Sequence, residues 1–233
     1  MYRCEAASIA GFIQQLAVAY VANGYWLYVT GCIPPHKDPR KVDAKLIDVY
    51  GIDCSKFVRW RRKERGLGNV QYLRYRRFFV LLATRGEHDI LVREAEIEDI
   101  RRRPIQCFGY SVGCYRDRRR VWRASVRIER GLFQEIKAEV KDAALREEAG
   151  SLRERFRHLI FEPYAPVRRQ VLALLAVVNT ARRVAGREIV PLDALRLRRS
   201  PLAPFGWLAI DEKREDPRAC ETGIEERFGG TRV

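Results

Sequence analysis

Apolar residues at Ile9, Phe12, Ile13, Leu16, Ala17 and Tyr20 recur at spacings of three and four, and Asn23-Gly24 closes the run. That is the period of one helical face, so the pattern predicts a helix over residues 8–22. The period then changes. Tyr25 to Thr30 is aromatic and β-branched and is stopped by Pro34-Pro35, as expected of a buried strand with a loop behind it. Asp38-Pro39 supplies a cap and a first-turn proline for a helix through Val42, Leu46, Ile47 and Val49, ended by Gly51. Ser55 caps a second short helix that ends at Arg65-Gly66. Val70 to Tyr75 and Phe78 to Thr84 are strand-like, either a hairpin with basic residues at its tip or one long strand.

Gly86 opens a polar loop, Glu94 to Arg102 predicts a helix, and Pro104 separates it from the next segment. Ile105 to Tyr115 and Val121 to Glu129 predict a hairpin with Arg116-Asp117-Arg118-Arg119-Arg120 at its tip. Beyond it the chain reads helical: Leu132 to Arg146, Leu152 to Ile160, and an apolar helix from Pro166 to Val184 stopped by Gly186. The expected fold is α+β. An antiparallel sheet of about five strands with flanking helices forms a basic domain over 1–130, a helical lobe over 131–210 packs on it, and 211–233 is a flexible tail.

Charge narrows the function classes. The 233 residues carry a formal charge of +15, with a sequence pI near 9.9, and 37 of the 45 basic residues are arginine. An excess of this size repels itself in a compact chain unless an anionic partner offsets it, which points to nucleic acid, DNA or RNA undecided. Codon composition exchanges lysine for arginine but does not create an excess over 30 acids. The six cysteines (4, 32, 54, 107, 114 and 220) show no CxxC pair and read as free thiols of a reducing compartment. The apolar run from Ile9 to Ala22 is shorter than the roughly 20 residues of a membrane span. No membrane association is expected, and the cytoplasm is the default location.

The densest charge lies between Ser55 and Arg77, where nine basic residues face the single acid Glu64. On a helix Lys56, Arg59, Arg62 and Lys63 share one face, while Phe57 and Trp60 are expected to anchor a neighbouring face to the core. In the adjoining strand Tyr72, Arg74 and Arg76 alternate onto one side, and a tyrosine-arginine pairing suits base stacking and phosphate contact. The tip at Arg116, Arg118, Arg119 and Arg120 extends the expected nucleic-acid surface. A solvated charged face is the plainer alternative for each cluster.

Chemistry is sparse. Glu87-His88-Asp89 is the most ligand-like sequence, two carboxylates and an imidazole that would need further groups to hold a divalent metal for phosphodiester cleavage. Single-strand nicking enzymes pair a two-histidine metal motif with a nucleophilic tyrosine. Here His88 has no second histidine two positions away, and Tyr164 is nominated by elimination, so the chain is not assigned to them. There is no GxxxxGK[ST], GxGxxG or GxSxG motif. The leading expectation is a nucleic-acid-binding protein without cofactor. The alternatives are a metal-dependent nuclease or nicking enzyme of a mobile or replicating element, with a divalent metal as its cofactor, and a basic assembly protein that meets an acidic protein partner.

Overall fold

The structure is a computed structural model and describes residues 2–199 and 202–205. Among these the chain forms seven α-helices and seven strands, an α+β fold with the last three helices at the C-terminal end. The strands make two antiparallel sheets, of four and three strands, rather than one sheet of about five.

The first helix, α1 (Ile9–Gln14), begins where Ser8 Oγ accepts from Gly11 N at 3.1 Å; it continues as a π-helical stretch (Gln15–Tyr20) and a 3₁₀ turn (Val21–Asn23) ended by the left-handed Gly24. Strand β1 (Leu27–Cys32) starts two residues later than the aromatic run does. Asp38 caps α2 (Pro39–Val49) by accepting from Arg40 N at 2.9 Å, and Ser55 caps α3 (Lys56–Glu64) by accepting from Val58 N at 3.3 Å. Strands β2 (Val70–Tyr75) and β3 (Phe78–Ala83) form the hairpin, in register Tyr75 to Phe78. The segment read as a helix over 94–102 instead holds a short strand, β4 (Glu98–Asp99), that pairs with β1, and the helix in this region, α4 (Ile90–Arg93), is four residues long and precedes it. Strand pairing with Leu27 and Tyr28 overrides the local helical preference there.

The order β2-β3-β1-β4 buries β3 in the middle of the first sheet. Alternate residues serve opposite faces. Tyr72, Phe79, Leu81 and Ala83 join Leu46 of α2, Tyr50 and Ile52 in one apolar cluster. On the other face Leu73, Phe78, Val80 and Leu82 are buried, and the ring of Phe12 in α1 meets that of Phe78 at 5.8 Å. A strand covered on both faces needs no polar side, which is why Phe78 to Ala83 reads as an unbroken apolar run.

Three strands, not two, make the second sheet: β5 (Ile105–Cys107), β6 (Tyr110–Arg116) and β7 (Trp122–Ile128). Phe108 and Gly109, both at positive φ, turn the chain between β5 and β6. The helices are α5 (Arg130–Ala143), α6 (Ala149–Arg157) and α7 (Ala165–Val184). The Glu129 carboxylate caps α5 by accepting from Gly131 N and Leu132 N, both at 2.8 Å.

The chain divides into two compact units. One comprises the residues through Phe108, Gly113–Ala124 and those from Leu202; the other comprises Gly109–Val112 and Ser125 to Pro201. The first and last residues of the β6–β7 hairpin thus belong to the second unit and its tip to the first. The expected flexible tail at 211–233 lies outside the described residues. No described helix is long and apolar enough to cross a membrane. One cysteine expectation needs correcting. Cys4, Cys54, Cys107 and Cys114 are free, but Cys32 is disulfide-bonded. Spacing along the chain does not report proximity in space. Cys220 lies outside the described residues.

Candidate nucleic-acid interface

Helix α3 has no buried residue, and its two faces are exchanged relative to expectation. Phe57 and Trp60, read as core anchors, are 77% and 60% exposed. The arginines on the opposite side turn inward to the protein. Arg59 Nη1 donates to Cys54 O at 2.5 Å, and Arg62 Nη1 donates to Gly51 O at 3.3 Å, so each closes the loop that precedes the helix. The Asn69 amide, donating to Arg59 O at 3.0 Å, ties the same side to the start of β2. The outward face therefore combines Phe57 and Trp60, one helical turn apart, with Lys56, Arg61, Lys63 and Glu64. The sequence carried a signal for this. No apolar residue follows Phe57, Val58 and Trp60 at 61 to 64 to continue a stripe by which a helix seats on a core.

Tyr72 and Arg74 leave the expected surface altogether. Tyr72 is fully buried, its hydroxyl donating to Asp43 Oδ1 at 2.7 Å. Arg74 is 2% exposed, with Nε donating to Asp43 Oδ1 at 2.8 Å, Nη2 to Asp43 Oδ2 at 2.9 Å, and Nη2 paired with Glu5 Oε2 at 3.0 Å. Burial is the first cause of the raised pKa of the Tyr72 hydroxyl, and the Asp43 carboxylate beside it adds to the effect. Tyr72 and Arg74 share a side of β2, but that side faces inward, because Asp43 of α2 covers it. Arg76 stays outside at the hairpin turn, with φ 52°, and its guanidinium stands 5.7 Å from the Tyr75 ring.

The β6–β7 tip is built around Asp117. Its carboxylate accepts from Arg119 N at 2.8 Å, Val121 N at 2.9 Å and Arg123 Nε at 3.0 Å, and the Val121 N–H above all holds it below the usual range. That leaves Arg118, Arg119 and Arg120 exposed around the turn, with Arg120 at φ 59°. Arg116 lies back over the Trp122 ring at 4.9 Å. Arg101 stacks near the same ring at 5.6 Å and over Trp26 at 4.5 Å while paired with Asp99, so it braces the base of the hairpin.

The weak catalytic candidates do not gather into a site. His88 Nδ1 accepts from Ile90 N at 3.1 Å, an Asx-like cap on α4, while Glu87 and Asp89 are exposed. Among the described residues no three His, Cys, Asp or Glu side chains stand together as a metal-binding group. Tyr164 precedes α7 under the Arg199 guanidinium, 4.3 Å from its ring, and burial pushes its hydroxyl up to about 12, away from a ready nucleophile.

Partial burial, with Arg62 nearby, lowers the pKa of His88. The unfolded chain then binds the extra proton first as pH falls from about 6.5, so this group's contribution to stability is lost between there and the lower folded value. His88→Asn keeps an acceptor for Ile90 N and removes the titration. Urea unfolding between pH 8 and 5 is expected to show a shallower loss of stability in this variant than in the wild type; parallel curves would dismiss the effect.

Comparison with protein-family models, with curated proteins and with solved structures finds no match for this chain.

Proposed function

We propose that this protein binds single-stranded nucleic acid through the outward face of α3, with the β6–β7 tip as a second contact. The observation that carries the reading is the exposed pair Phe57 and Trp60 set among Lys56, Arg61 and Lys63. Two large aromatic rings held in water on a cationic helix lose hydrophobic stabilisation that burial would supply. Unstacked bases are the partner that uses both features, rings for stacking and cations for phosphates. A duplex offers no base faces to such rings.

Backbone conformation supports the second contact. At the β6–β7 tip Arg120 occupies a hairpin-turn position with positive φ, where glycine or asparagine is the unstrained choice. Keeping arginine there costs about 1–2 kcal/mol per residue, which a surface charge alone does not explain.

The test is anisotropy titration of labelled oligo-dT and oligo-U, and of a duplex control, against the full chain. Phe57→Ala and Trp60→Ala are each expected to weaken single-strand binding by about 1–3 kcal/mol, roughly 5- to 150-fold. Because both side chains are exposed, thermal stability should barely change. Replacing Lys56, Arg61 and Lys63 with alanine should flatten the salt dependence, by about 0.7 in log–log slope for each phosphate no longer neutralised. A double Phe57/Trp60 variant that binds as the wild type does would sink the proposal. Absence of binding to any nucleic acid at low salt would turn attention to an acidic protein partner.

A further inference from the structure

A pocket of about 490 Å³ opens beside α2, and no residue of the proposed strand-binding surface lines it. Its floor is apolar, made by Ile33, Val42, Leu46 and Phe79, and its mouth carries His36, Lys37, Lys41 and Lys45. The volume lies within the range of small-molecule sites, which pair an apolar body with a few placed polar groups.

Four features make this a built site. The chain has only eight lysines against 37 arginines, yet three of the eight line this one mouth. Lys41 and Lys45 stand at i and i+4 on α2, a like-charge pair that by itself weakens a helix by about 0.2–0.5 kcal/mol. The wall is also held in place. Arg77 donates to the carbonyls of Pro34 at 2.6 Å, Pro35 at 3.0 Å and Ile33 at 3.3 Å, so the loop before α2 is fixed by one guanidinium. Finally, the floor is set by a glycine. A Cβ on Gly31 would come within 2.5 Å of the Phe79 ring, so glycine at that position of β1 lets the ring lie flat across the strand. Asp38 is the one acid in the lining, and its carboxylate is engaged as the cap of α2.

We infer that this pocket binds a phosphate monoester with an apolar or aromatic body, the body on Phe79, Ile33 and Leu46 and the phosphate between Lys41 and Lys45. Ammonium groups act as mobile point charges toward a compact dianion, whereas a planar carboxylate is better matched by the arginine fork. A free small-molecule monophosphate and the 5′-phosphorylated end of a strand share this chemistry. The inference does not depend on the role given to α3.

Calorimetric titration of the full chain with 1-naphthyl phosphate is the direct test, with inorganic phosphate and 1-naphthol as head-only and body-only probes. The monoester is expected to bind about tenfold or more tightly than either part, and Lys41→Gln with Lys45→Gln to lose about tenfold or more, both lysines being exposed and safe for folding. Val42→Trp should block the floor, with thermal melting to show that it is folded. Adenosine 5′-monophosphate and a 5′-phosphorylated trinucleotide, compared with its unphosphorylated form, identify which source the site accepts. No binding of 1-naphthyl phosphate at millimolar concentration overturns the inference. So does binding that the lysine variants leave unchanged.

Discussion

Arg74→Ala is expected to destabilise the protein by about 3–5 kcal/mol, the range seen when one partner of a buried ion pair is removed. The cause is what stays behind. Asp43 is buried on the inner side of α2, and without the guanidinium its carboxylate keeps, among the described residues, the Tyr72 hydroxyl and the weak Cys4 thiol as side-chain donors. That thiol is pushed up to about 12, by burial first and by the Asp43 charge second, and it offers no positive charge in compensation. The Glu5 pair contributes less, because the Glu5 side chain is more than half exposed and water screens it. The measurement is urea unfolding of Arg74→Ala, Asp43→Asn and the double variant Arg74→Met with Asp43→Leu. The double variant should be more stable than the two single losses add up to, since no charge is then left buried. A cost below about 1 kcal/mol for Arg74→Ala would mean that water or another group reaches Asp43. The result also bears on function. If Arg74→Ala loses nucleic-acid binding, the loss reports a damaged core and does not locate the interface, which is why Phe57 and Trp60 are the informative positions.

Local signals located most of the fold's elements. Asp38 and Ser55 cap the helices expected of them, and Gly24, Gly51, Gly66 and Gly186 adopt the positive φ that ends theirs. These are short-range facts written in neighbouring residues. What failed depended on distant ones. The strand at Glu98-Asp99 exists because β1 is there to pair with it, and nothing between 94 and 102 announces β1. Charge was the least legible feature of all. Arg59, Arg62, Arg74, Arg77 and Arg182 look in sequence like the arginines of a binding surface, and each is engaged by protein carbonyls or by a buried carboxylate. An arginine's long stem and five donors serve a loop or a helix end as well as a phosphate, and sequence does not say which way it points. The aromatic residues carried the opposite error. Phe57 and Trp60 read as core residues on hydrophobicity, yet no apolar residue follows them at 61 to 64 to continue a core-facing stripe.

Arg182 shows how far this goes, and its loss is the second large effect to expect. The side chain is 1% exposed. Nη1 donates to Ala144 O and Glu147 O, both at 2.8 Å, and Nε donates to Glu188 O. Ala144 is the C-cap of α5, where backbone acceptors have no intrahelical partner and the helix dipole is negative, and Glu147 lies in the loop between α5 and α6. One cation in α7 therefore satisfies the end of α5 and the loop after α7 together. Arg182→Ala leaves three acceptors without their donor, at about 1 kcal/mol or more apiece, and opens a cavity where the stem lay. The expected cost is about 3–5 kcal/mol, with Arg182→Met recovering the packing but not the hydrogen bonds. Lysine has the charge but not the fork, so Arg182→Lys should fall between methionine and wild type. Hydrogen exchange gives the residue-level readout: amides in the last turn of α5 and in the segment from Arg187 to Val190 should lose protection together in Arg182→Ala, since a single side chain joins them. Loss in only one of the two would show that the guanidinium does not couple them, and a variant as stable as the wild type would mean that water satisfies the carbonyls equally well.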